Sequence, residues 1–180
     1  MLMAFAPFIA FAVLTHLVGP AGALAAGAAV SAALILRDIL RGSGVKILEA
    51  GTFVLFGGLA LYTFLVGADW SVIGVRLFVD AGLLLVVLAS MAVGQPFTQQ
   101  FAREHVSPSL WQSPQFIRTN YVITGAWALA FALMVAAEAA LLYLPAMPHQ
   151  LGILAIILAL VGAFKFTGWY PQHAKAVQHS

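Results

Sequence analysis

From Leu2 to Trp169 the chain is a succession of apolar stretches parted by short polar breaks. A helix that crosses a bilayer needs about 20 such residues at 1.5 Å rise each. Six stretches reach or approach that length, at about 2–18, 21–36, 47–66, 72–93, 121–144 and 151–169. Their ends carry stop signals: Gly19-Pro20, Gly67-Ala68-Asp69-Trp70, Gly94-Gln95-Pro96, Pro145 and Pro171. Glycine just past a helix, with proline soon after, is where helical hydrogen bonding ends. The expected fold is all-α: a single bundle of six transmembrane helices over residues 1–170, with a short cytoplasmic tail at 171–180.

Composition agrees. Only 8% of the 180 residues are charged and 63% are hydrophobic, against about 25% charged in a soluble domain. The mean hydropathy is +1.01. So few charges cannot cover a water-facing surface, so membrane lipid is the first expected partner. Cysteine is absent, which excludes disulfides, thiolate metal sites and cysteine nucleophiles. No basic stripe interleaves with aromatic residues, so nucleic acid is not an expected partner. Met1-Leu2-Met3-Ala4-Phe5 lacks the positive start of a signal peptide, and the first stretch reads as a retained helix.

Lys and Arg set the expected orientation. Arg37, Arg41 and Lys46 lie between stretches two and three, Arg103 and Arg118 between four and five, and Lys175 after six. The breaks after stretches one, three and five hold neither residue. Alternate loops are thus basic and non-basic, which puts both ends in the cytoplasm.

The one long loop, 95–120, opens Gln95-Pro96-Phe97-Thr98-Gln99-Gln100-Phe101-Ala102-Arg103-Glu104-His105. Phe97 and Phe101 are four apart and share a helical face. The expectation is a short amphipathic helix in the cytoplasmic interface, phenylalanines toward the lipid; a plain irregular connector is the alternative. Trp111 and Phe116 would anchor the loop at headgroup level. Phe97, Gln99, Phe101, Arg103, Trp111 and Arg118 are the candidate contacts for a protein partner.

Polar groups inside apolar stretches are the candidates for chemistry, because each costs on the order of 3 kcal/mol to insert when charged. His16, Arg76, Asp80 and Glu138 fall in the outer half of the expected bundle. Arg76 and Asp80 are one turn apart. Stretch five carries a stripe of Asn120, Thr124, Trp127, Phe131, Met134 and Glu138 in steps of four and three. Stretch four repeats the rhythm with Arg76, Asp80, Leu83, Val87 and Ser90. If the stripes face each other, Glu138 approaches Arg76 and Asp80. Two readings stand: a proton- or ion-linked site, or a polar clasp that fixes helix packing. In the cytoplasmic half Glu49 lies one turn from Lys46, and Lys165 is placed to snorkel to the interface.

Gly22, Ala23, Ala26 and Gly27 have small-xxx-small spacing, which serves either packing within the chain or a seam between two copies. There is no GxSxG, no Walker loop, no GxGxxG and no HExxH. Neither catalysis nor a cofactor nor a metal is expected.

Around the loop the chain resembles the intracellular septation protein A family of bacterial inner-membrane proteins. The resembling residues are Pro96 followed by Gln99, an acidic position at Glu104, the loop Trp111, and the pair Trp127 and Phe131. Pro7-Phe8, the basic segment between stretches two and three, and Phe56-Gly57-Gly58-Leu59 extend the likeness in layout to nearly the whole chain. The resemblance implies a non-enzymatic, multi-pass protein of the bacterial inner membrane. It also implies a role in cell-envelope maintenance or septation through contacts with cell-wall synthesis and division proteins.

Overall fold

In the computed structural model, residues 5–144 and 146–176 are described. The start placed at Leu2, the stop at Pro145 and the last residues of the tail lie outside them. All regular structure among the described residues is helical: α1 Ala6–Leu40, α2 Ile47–Val66, α3 Val72–Ala92, α4 Phe97–Ala102, α5 Pro114–Tyr143 and α6 His149–Ala176. Two single 3-10 turns, Arg103–His105 and Pro108–Leu110, lie between α4 and α5. Five helices, all but α4, are long and apolar enough to cross a membrane. The chain divides into two compact units, Met1–Val86 and Val87–Ser180, with the boundary inside α3.

Stretches one and two form the 35-residue α1, broken at one residue. Gly19 has φ 77° and ψ 171° and Pro20 follows it. That backbone region is open to glycine alone. The break is a sharp reversal, and Phe56 of α2 demonstrates it. Its ring lies 5.4 Å from that of Phe11, yet a Cβ built on Gly27 would meet the same ring at 2.9 Å. A straight helix would hold residues 11 and 27 about 24 Å apart, far beyond the span of one phenyl ring. The buried residues agree: Thr15 and Ala23, Phe11 and Gly27, and Pro7 and Ser31 lie pairwise equidistant from Gly19. The two legs fold back on each other and close over Phe56.

Replacing Gly19 with Ala is expected to destabilise the protein by about 1–3 kcal/mol, the cost of forcing a side chain into this region. No atom lies within 4 Å of the added carbon, so the loss is purely conformational. Thermal unfolding in detergent, compared with Gly44→Ala in the exposed α1–α2 connection, measures it. An unchanged midpoint would mean that the reversal does not require glycine.

The rest of the first unit is α2 against both α1 and α3. Val86 lies over Gly51 and Leu55 over Gly82, so α2 and α3 run antiparallel. At their shared turn Trp70 donates a 2.6 Å hydrogen bond to Thr63 and packs its ring against Tyr62 and Phe78.

In the second unit α5 and α6 are an antiparallel pair. Trp127 donates to Thr167 at 2.9 Å, and Leu141 fills the space over Gly152. Helix α5 starts at Pro114, seven residues before the stretch read from hydropathy. Ser113 and Pro114 begin it: the Ser113 hydroxyl accepts from the Phe116 amide, and proline fits a first-turn position whose N–H would be unsatisfied anyway. Helix α6 runs past Pro171 to Ala176 rather than ending near Trp169. One ring contact spans the proline, Trp169 against His173 at 4.1 Å, and Phe166 stacks on Tyr170 at 5.1 Å in the turn before it.

The residue distribution is inside-out for a protein in water. Phe64 is 85% exposed, Leu17 73% and Leu65 71%, whereas Asp38, Glu49 and Glu138 are each 2% exposed or less. Buried hydroxyls turn back to carbonyls of their own helices: Thr15 to Phe11, Ser31 to Gly27 and Thr52 to Leu48. Water would drive the opposite sorting. Apolar side chains outward with self-satisfied polar groups inward are the arrangement lipid demands. The chain has the construction of a multi-pass membrane protein.

Candidate functional site: a buried charge cluster and a pinned loop

The first unit gathers four charged groups where α1 ends and α2 begins, three of them buried and Arg37 partly exposed. Asp38 sits in the last turn of α1, Lys46 immediately precedes α2, and Glu49 lies in its first turn. Residues 41–45 between them are exposed. Arg37 donates to Asp38 Oδ1 from Nε at 2.8 Å and from Nη2 at 2.6 Å. Lys46 Nζ donates to Asp38 Oδ2. Asp38 therefore takes both cations directly. Glu49 has them only at ion-pair range: its Oε1 lies 3.8 Å from Lys46 Nζ and 3.9 Å from Arg37 Nη2. Glu49 Oε2 is buried and has no hydrogen-bond partner among the described residues.

The sequence reads Arg37, Arg41 and Lys46 as a basic loop and sets Glu49 one turn from Lys46; it does not mark Asp38. The signal was an acid placed eight residues before Lys46, with Glu49 one turn after it. A short connection between antiparallel helices brings such positions together.

The positions expected to form an outer-half cluster differ in burial. His16 is exposed, because Thr15 takes the inward position on that leg. Arg76 is half-buried and Asp80 8% exposed, both in the first unit. Glu138 belongs to the second unit and is 1% exposed. The α5 stripe of Asn120, Thr124, Trp127, Phe131, Met134 and Glu138 is buried along its whole length.

The loop corrects a further expectation. Its short helix exists, but Phe97 is fully buried and Phe101 nearly so, as are Thr98 and Gln99. They pack into the second unit, with α5 as the neighbouring helix, rather than face lipid. Polar ties explain the seating. The Phe97 amide donates to Ser90 Oγ at 3.2 Å. Thr98 Oγ1 donates to the Asn120 carbonyl at 3.0 Å and lies 2.8 Å from Thr124 Oγ1. Tyr121 donates to the Met91 carbonyl. Phe97, Gln99 and Phe101, expected as partner contacts, are thus buried within the second unit.

What the loop displays lies beyond α4. Trp111 is half-buried, donates to the Val106 carbonyl at 2.9 Å and carries Arg103 over its ring at 5.4 Å. Glu104, His105, residues 107–110 and Arg118 are exposed around this fastening.

No group of three or more metal-ligating side chains converges among the described residues. Comparison with family models, curated proteins and solved structures finds no match to this chain.

Proposed function

We propose that the chain crosses a bacterial inner membrane six times, both ends on the cytoplasmic side, and acts without catalysis as a binding protein in cell-envelope maintenance or septation. The reversal at Gly19 supports the sixth crossing, because it divides α1 into two antiparallel legs. Clustered Arg37, Arg41 and Lys46, with Arg103 and Arg118, support the assignment of the cytoplasmic side. Aromatic groups suit the two interfaces: Tyr62, Trp70 and Phe78 at the α2–α3 turn, and Phe166, Trp169 and Tyr170 near the end of α6.

The observation that carries the binding role is the fastened turn at 103–113. A loop tied by Trp111 and Arg103 holds exposed Ser109 and Leu110 in one conformation, which lowers the ordering cost of association. Its partners would be cell-wall synthesis or division proteins. A photo-crosslinking residue at Leu110 is expected to give an adduct with one such protein, while the same residue at lipid-facing Leu158 gives lipid adducts alone. Trp111→Ala should cut the Leu110 adduct about fivefold, the equivalent of one lost hydrogen bond. Lipid adducts alone at position 110 would end this reading.

A second reading, proton- or ion-linked transport, is favoured by the burial of Asp38, Lys46, Glu49, Asp80 and Glu138. Ionisable groups within apolar helices mark such pathways.

A further inference from the structure

We propose that Arg37, Asp38, Lys46 and Glu49 form a proton-binding site at the α1–α2 connection, with Glu49 Oε2 as the atom that takes and releases the proton. This inference bears on the transport reading and stands apart from the loop.

Three features carry it. First, Glu49 is 2% exposed, yet Oε2 lacks a donor among the described residues, and a buried acceptor left open is costly. A bound proton removes that cost by neutralising the carboxylate. Second, the opposing pull is also built in. Two cations stand within 4 Å of Oε1, and Glu49 lies in the first turn of α2, where the helix dipole favours negative charge. A group held between two such demands can change state, whereas Asp38, taken by both cations through direct hydrogen bonds, is committed to its charge. Third, there is a way in. The Arg37 side chain is 26% exposed, and the connection at 41–45 is open to solvent.

The transfer balances without a further reactant. Hydronium on the connection side gives its proton to Oε2, an O–H bond forms, and water leaves. The four groups pass from net zero to a charge of +1, and release reverses the step. The charged groups around Glu49 are Arg37 and Asp38 from α1 and Lys46 from the connection, where Arg41 points outward. Helix α3 meets α2 here through Val86 and Gly82; its Arg76 and Asp80 lie farther along, beyond Gly82.

The test uses the full chain in lipid nanodiscs, titrated over about pH 3 to 9, a range that spans the ordinary carboxylate values. Infrared difference spectra follow the protonated-carboxyl C=O band. The expected result is a titrating band that shifts when the glutamate side chains carry 13C. It should be lost in Glu49→Gln, retained in Glu104→Gln, and moved in Glu49→Asp. The wild-type isotope shift keeps the test decisive if Glu49→Gln does not fold. A spectrum with no titrating glutamate band, a band that survives in Glu49→Gln, or one that vanishes only in Glu138→Gln overturns the proposal.

Discussion

Phe56→Ala is expected to destabilise the protein by about 3 kcal/mol. Phe56 is fully buried, with Phe8 at 5.3 Å and Phe11 at 5.4 Å between ring centroids, and Gly27 is open to its ring face. Its side chain is gripped by both legs of α1. In a water-soluble core, truncating such a residue costs about 3–5 kcal/mol, part of it lost transfer from water. Here the unfolded reference is a set of helices still in lipid, so the transfer part shrinks and lost packing dominates. That places the value at the low end of the range. Phe64→Ala is the matched control: Phe64 is 85% exposed, and its removal should change stability by less than about 0.5 kcal/mol. Unfolding by sodium dodecyl sulfate in mixed micelles, read by tryptophan fluorescence, gives both numbers. Equal losses for the two variants would show that the legs do not close on Phe56.

The contrast between Phe56 and Phe64 also explains which parts of the structure were readable from residue order. Helix extents were readable where a polar break ended an apolar run. Stretch three coincides with α2, and stretch four ends one residue from α3. The Gly19-Pro20 reversal was marked by its own residues. Facing was harder. In lipid, apolar side chains point both inward and outward, so hydropathy does not separate a core position from a lipid-facing one. Phe97 and Phe101 share a face as their spacing requires, yet both are buried in protein, and Thr98 between them is tied to Asn120 and Thr124 far along the chain. Where polar residues formed the stripe, facing became legible: the Asn120-to-Glu138 series follows the buried side of α5. The charge cluster escaped for a different reason. Arg37, Arg41 and Lys46 carry the orientation signal, and Asp38 beside them only lowers their net charge. Net positive charge along a segment is silent on which individual charges are buried.

Asp38→Asn is expected to cost about 4 kcal/mol, close to the Phe56 truncation and by a different mechanism. The substitution takes from Lys46, a 6% exposed side chain, the carboxylate to which its ammonium donates directly. A buried ion stripped of its partner loses attraction that had offset its desolvation, and about 3–5 kcal/mol is the usual consequence. Arg37 suffers less, since its partly exposed guanidinium can turn toward water. Lys46→Met should cost a similar amount by stranding part of the Asp38 charge. The decisive measurement is the double variant. Removing Asp38 and Lys46 charges together eliminates both the stranded ion and its desolvation, so Asp38→Asn with Lys46→Met should cost less than the sum of the singles by about 2 kcal/mol or more. Additive losses would mean that the two groups do not share one buried interaction. Sub-additive losses would carry a second consequence. A fold that tolerates the neutral pair does not need these charges to stand, and the infrared band of Glu49 in that double variant then reports what the charges do. With one cation and one anion gone around it, Glu49 keeps its open oxygen but loses its nearest ammonium group, so the band should titrate at a different pH while the fold stands.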